Sequence, residues 1–109
     1  GKYLRRLGDE AYREKKLERA QEVFRQAVEH RQPDQPWASL GLGWTLFDLA
    51  KLDEALTAFR LASEKASASS PELAEALYMM ANIEQQQGKK ESATNGYARV
   101  FHDFTDSPF

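Results

Sequence analysis

Cysteine is absent from the 109-residue chain, which excludes disulfides, thiolate metal sites and a cysteine nucleophile. That absence fits a reducing or an oxidising compartment, so the cytoplasm and a bacterial periplasm or cell envelope both stay open. No apolar run approaches the ~20 residues of a transmembrane helix, and residues 1–14 lack the continuous apolar stretch of a signal peptide. Membrane insertion is therefore not expected. A basic excess is missing too: 15 Lys and Arg face 17 Asp and Glu, a formal charge of -2. Proteins that live on phosphate contacts carry surplus positive charge, so nucleic acid is disfavoured as a partner. There is no starting methionine either, and the chain opens at Gly1 directly in a helical pattern, as expected of a piece of something longer.

The residues present are 41% hydrophobic and 29% charged, near the globular average and unlike a disordered chain. They recur. A shift of 35 residues carries Leu17, Ala20, Phe24 and Ala27 onto Leu52, Ala55, Phe59 and Ala62, and Leu7, Gly8 and Tyr12 onto Leu42, Gly43 and Phe47. A further shift of 38 takes Ala55 to Ala93, Phe59 to Tyr97 and Ala62 to Val100, the three extra residues falling in the Ser-rich stretch before Pro71. Within each copy, apolar residues at three and four spacings alternate with Gly, Pro and Asp at the joints, which predicts two helices per copy. The predicted helices are 2–14, 17–31, 36–49, 53–67, 71–87 and 90–103. Ser70 reads as an N-cap with Pro71 in the first turn, and Gly88 as the left-handed residue that ends a helix. Pro33 and Pro36 break the chain between the first two copies.

This pattern resembles the tetratricopeptide repeat, of period ~34 residues. The matching residues are Leu4, Leu7, Gly8, Tyr12, Ala20, Phe24 and Ala27, then Leu42, Gly43, Leu46, Ala55, Phe59 and Ala62, then Leu77, Gly88, Ala93 and Tyr97, with Ala81 in place of a glycine. The resemblance implies an all-α fold, three helix-turn-helix repeats in a right-handed superhelical solenoid. Its repeats would be 1–35, 36–70 and 71–106, with 107–109 opening a further one. Asp106-Ser107-Pro108-Phe109 repeats the grammar of Ser70-Pro71, so a fourth copy is expected beyond it. The segment from Arg99 to Phe109 also resembles junctions in tetratricopeptide proteins of the bacterial cell envelope. Tyr97, Val100, Phe101 and Phe104 give the last helix an apolar stripe where a terminal repeat is normally polar. Self-association through that end is the expectation.

The resemblance further implies a concave groove lined by the first helix of each copy, with a protein or peptide as partner. Transferred to this chain, the groove positions are Lys2, Arg5, Asp9, Tyr12 and Arg13, then Trp37, Leu40, Trp44, Phe47 and Asp48, then Glu75, Tyr78, Asn82, Gln85 and Gln86. An aromatic strip flanked by Arg5 and Arg13 suits a peptide with apolar anchors and neighbouring acids. The family's clamp for a C-terminal carboxylate is not expected, because Asp9 and Glu75 stand at two of its sites and would repel the carboxylate. An alternative register sets Trp37, Leu40, Gly41 and Trp44 at packing positions, burying both tryptophans in a stacking module with no ligand of its own.

Catalysis finds no support. His30 and His102 fall near helix ends, where a positive imidazole suits the dipole, and no His-Glu-x-x-His metal spacing occurs. The glycines of Gly41-Leu42-Gly43 lie inside a helix pattern and follow no strand, so close packing explains them better than a phosphate cradle. Acidic pairs such as Asp9-Glu10 and Asp53-Glu54, and the basic pairs Arg5-Arg6, Lys15-Lys16 and Lys89-Lys90, read as solvated faces. A non-enzymatic scaffold without a cofactor is the expectation.

Overall fold

The computed structural model describes residues 2–31 and 35–103, and among them all regular structure is helical. The helices are α1 (Lys2–Arg13), α2 (Leu17–Gln26), α3 (Pro36–Asp48), α4 (Leu52–Lys65), α5 (Pro71–Gln86) and α6 (Lys90–Asp103). One difference from the sequence expectation lies in α2, whose extension over Ala27–Arg31 is π-helical. Pro33 and the segment from Phe104 to Phe109, including the Asp106-Ser107-Pro108 step, lie outside the described residues.

The three turns within the helix pairs are copies of one another. Lys15, Ala50 and Gly88, at equivalent places in the repeat, all have positive φ, of 61°, 63° and 84°. At each turn the following N–H reaches back five residues, from Lys16 to the Ala11 carbonyl at 2.8 Å, Lys51 to Leu46 at 2.9 Å and Lys89 to Glu84 at 2.8 Å. This is the Schellman closure, which satisfies carbonyls that the helix end would leave unpaired. Pro71 opens α5, and the Ser70 hydroxyl accepts the Leu73 N–H at 3.1 Å, the cap expected from the sequence. Pro36 opens α3 in the same way, but Gln35 supplies no side-chain cap.

Small residues are buried where helices cross, and one large ring fills the gap in each of the first two pairs. Ala20, Ala27, Ala55, Ala62 and Phe59 are fully buried, and Phe24 is 2% exposed. A Cβ on Gly8 would fall 2.7 Å from the Phe24 ring, and one on Gly43 would fall 2.9 Å from the Phe59 ring. The 35-residue register is thus visible as the same ring-on-glycine contact in both pairs. Phe24 also abuts Gly41 of α3, where an added Cβ would come closer still. In the third pair, Ala81 meets Gly96, with an added Cβ 3.0 Å away.

Consecutive helices pack against each other along the chain, and the first helices also touch, α1 with α3 and α3 with α5. The main core joins α3, α4 and α5 through Leu46, Leu56, Phe59, Met79 and Ile83. Burial fades in α6, where only Ala93 is buried and Phe101 is 76% exposed, because nothing among the described residues covers its far side. Among the described residues, no helix is long and apolar enough to cross a membrane.

Candidate functional site

Stacking first helix on first helix leaves a hollow of about 540 Å³ between α1, α3 and the start of α5. From α1 it receives Arg5, Asp9 and Tyr12, and from α3 Trp37, Leu40 and Trp44. These residues fall together because their spacings of three and four keep each set on one helix face. Glu72 and Glu75 close the hollow from α5, and Phe24 and Gly41 form part of its wall.

The aromatic walls are held from behind. Trp37 meets the buried Phe24 edge to face, with ring centroids 6.3 Å apart. Trp44 meets Phe59 in the same way at 5.9 Å and Phe47 at 6.0 Å. Both indoles are half-buried. Each therefore packs on the core with one edge and offers the remainder to the hollow, a combination that neither register alone anticipated. The Arg5 guanidinium carbon stands 5.7 Å from the Trp37 ring centroid, within cation–π range.

Two hydrogen bonds tie neighbouring repeats at this surface. The Trp44 indole N–H donates to Glu75 Oε1 at 2.7 Å, joining α3 to α5. The Tyr12 hydroxyl donates to Asp48 Oδ2 at 2.6 Å, joining α1 to α3. Burial first, and then the hydrogen bond to Asp48 and its negative charge, hold the Tyr12 phenol well above the usual tyrosine range.

A second hollow of about 430 Å³ adjoins the first, and Trp44 and Glu75 belong to both. Its other walls are Pro71, Tyr78 and Met79, so Glu75 is its one charged group. The Tyr78 ring is 45% exposed and leans edge-on against Tyr97, centroids 5.5 Å apart.

Of the ten residues expected in the groove, Arg5, Asp9, Tyr12, Trp37, Leu40 and Trp44 line the first hollow, and Tyr78 lines the second. Leu40, 7% exposed, contributes as floor. The other three stand elsewhere. Arg13 is exposed in the last turn of α1 and lines neither hollow. Phe47 is half-buried against the core beside Trp44. Asn82 lies further along α5, where its Oδ1 accepts the Gln86 side-chain N–H at 2.6 Å. The side chain of Lys2 lies outside the described residues.

Of the acidic residues that α5 contributes, Glu75 was expected in the groove and Glu72 was missed. Three carboxylates, of Asp9, Glu72 and Glu75, line the first hollow against the single guanidinium of Arg5. The signal for Glu72 was its place directly after the helix-opening Pro71, since the first turn of α5 faces α3. Among the described residues, no group of three or more His, Asp and Glu could hold a metal ion.

Comparison with known families matches residues 5–71 to a tetratricopeptide repeat model and residues 75–107 to a second model of the same description. A search of curated proteins returned no match.

Proposed function

Because the chain belongs to the tetratricopeptide repeat family, whose repeats mediate protein–protein interaction and scaffolding, we propose that its first helices bind an extended peptide segment of a partner protein. The observation that carries this reading is the pair of adjoining hollows that share Trp44 and Glu75. Concave sites with mostly apolar walls and a few placed polar groups are the usual form of a binding site. Here Trp37, Trp44 and Tyr78 supply rigid apolar area, the residue types that dominate binding hot spots. Packing of the indoles on Phe24 and Phe59 fixes them before a ligand arrives, so little side-chain order remains to be lost on binding.

Selection of a random peptide library displayed on phage against the folded chain tests the reading. Peptides selected on the wild type bind Trp44→Ala at least about tenfold more weakly, the loss expected for a central aromatic anchor. Tyr78→Ser is the companion variant, since its exposed ring can be removed without opening the core if Trp44→Ala fails to fold. Selected peptides that bind both folded variants as well as the wild type would place the interaction on another surface.

The stacking reading has its own support. The exposed Phe101, with half-buried Tyr97 and Val100 on the same stretch of α6, suits a surface that a further repeat or a second copy covers. Stacking through α6 leaves the hollows between α1, α3 and α5 open, so it is compatible with peptide binding, unlike a stacking module with no ligand of its own.

A further inference from the structure

We infer that the segment held in these hollows is basic: a Lys or Arg side chain enters the first hollow and an apolar side chain the second. This inference rests on the peptide-binding reading and adds the chemistry of the occupant. It reverses the sequence expectation of an acidic peptide, which depended on Arg5 and Arg13 flanking the aromatic strip. Arg13 stands outside the hollow, and the Arg5 guanidinium is already stacked over Trp37.

Arg5 is one positive charge among three carboxylates, so the lining of the hollow stays net negative. Asp9 and Glu72 make no ion pair or hydrogen bond with any described residue. Glu75 accepts the neutral Trp44 N–H through one oxygen only, leaving the other for a ligand. The N-terminus of α5 supplies opposing positive potential, equivalent to roughly half a charge. That is small beside three carboxylates, and Glu72 in the first turn offsets it directly. An ammonium or guanidinium entering here meets carboxylate oxygens and indole faces together, the combination that favours a cation over a neutral group. A carboxylate entering the same space meets like charge.

Geometry sets the spacing within the peptide. The two hollows share the Trp44 and Glu75 side chains as a common wall. In an extended chain, alternate side chains on one face are about 7 Å apart. The adjoining hollows are therefore assigned to a cationic residue and an apolar residue two positions apart. The second hollow, walled by Pro71, Tyr78, Met79 and Trp44, takes the apolar member.

The test uses three pools of acetylated, amidated hexapeptides, identical except for a fixed Lys, Gln or Glu two positions from a Leu, Phe, Met or Trp. Each is titrated into the isotope-labelled chain while NMR follows the indole N–H signals of Trp37 and Trp44. The Lys pool shifts the Trp44 signal with an apparent affinity about three- to tenfold above the Gln pool, and the Glu pool binds most weakly. Added salt narrows the difference. Asp9→Asn combined with Glu72→Gln, which breaks no hydrogen bond within the protein, brings the Lys pool down to the level of the Gln pool. Equal affinities for all three pools, with the same signals moving, would overturn the basic-peptide inference and leave the groove reading standing. A Glu pool that binds most tightly overturns it as well. If no pool moves either indole signal, the groove reading fails and the inference falls with it.

Discussion

Replacing Ala50 by glycine stabilises this protein, although glycine substitutions ordinarily weaken helical folds. Ala50 ends the first helix of the middle repeat with φ of 63°, in the left-handed region. A residue with a Cβ is roughly 1–2 kcal/mol worse there than glycine. Glycine gains freedom in the unfolded chain, which costs about 0.4–1 kcal/mol in return. The difference leaves a net gain of about 0.5–1 kcal/mol, or about 2–8 °C in Tm for a chain of this size. No packing is lost in exchange, because Ala50 is exposed. The equivalent Gly88, at φ of 84°, has no atom within 4 Å of where a Cβ would stand, so the turn makes a demand on the backbone alone. Gly88→Ala accordingly loses a comparable amount. Urea denaturation followed by far-UV circular dichroism measures both, as shifts of midpoint at unchanged slope. A fall in midpoint for Ala50→Gly, or no change for Gly88→Ala, refutes the strain argument.

Gly41→Ala gains about 1 kcal/mol of helix propensity but drives a methyl into the Phe24 ring, an overpacking cost of about 1–3 kcal/mol. A net loss of up to about 2 kcal/mol in a urea titration is expected, and a net gain would mean that Phe24 steps aside freely. Tyr12 keeps its proton in the folded state at pH values where an unfolded tyrosine releases it, so the folded state binds more protons above about pH 10. Its contribution is fully present below that pH and is lost as pH rises through the folded value. Tyr12→Phe therefore flattens the fall in urea midpoint between about pH 9 and about pH 11, and an unchanged slope would contradict the assignment. Sedimentation at high concentration finds reversible association of the chain through α6, weakened by Phe101→Lys, whereas strictly monomeric behaviour of the wild type excludes that use of the exposed ring.

The legible part of the fold was whatever repeats. Gly8 with Phe24 and Gly43 with Phe59 stand at constant spacing because the crossing of two helices within a pair is a local problem solved the same way twice. Lys15, Ala50 and Gly88 share a turn for the same reason, though only the glycine announces the left-handed backbone. Contacts between repeats were harder to read, since they depend on how one pair leans on the next. The approach of Gly41 to Phe24 lies at that seam, as does the Trp44–Glu75 bond. The two tryptophans defeated a choice between groove and core because a half-buried indole has edges enough for both. The place of Glu72 in the hollow went unread for a related reason. Glu72 follows the irregular stretch with three extra residues, where the repeat stops being a guide to position.

The ring seated against Gly8 and Gly41 also gives the array a fixed reading order. Stepping back 35 residues from Gly41 arrives at Arg6, and stepping forward 38 arrives at Met79, which is buried in the cluster that holds Phe59. No other repeat offers a glycine at that place. Were the third module to follow the first directly, Phe24 would meet the long side chain of Met79 and find no vacancy to receive it. The modules share one plan but are not interchangeable parts, and their succession is written into the joints.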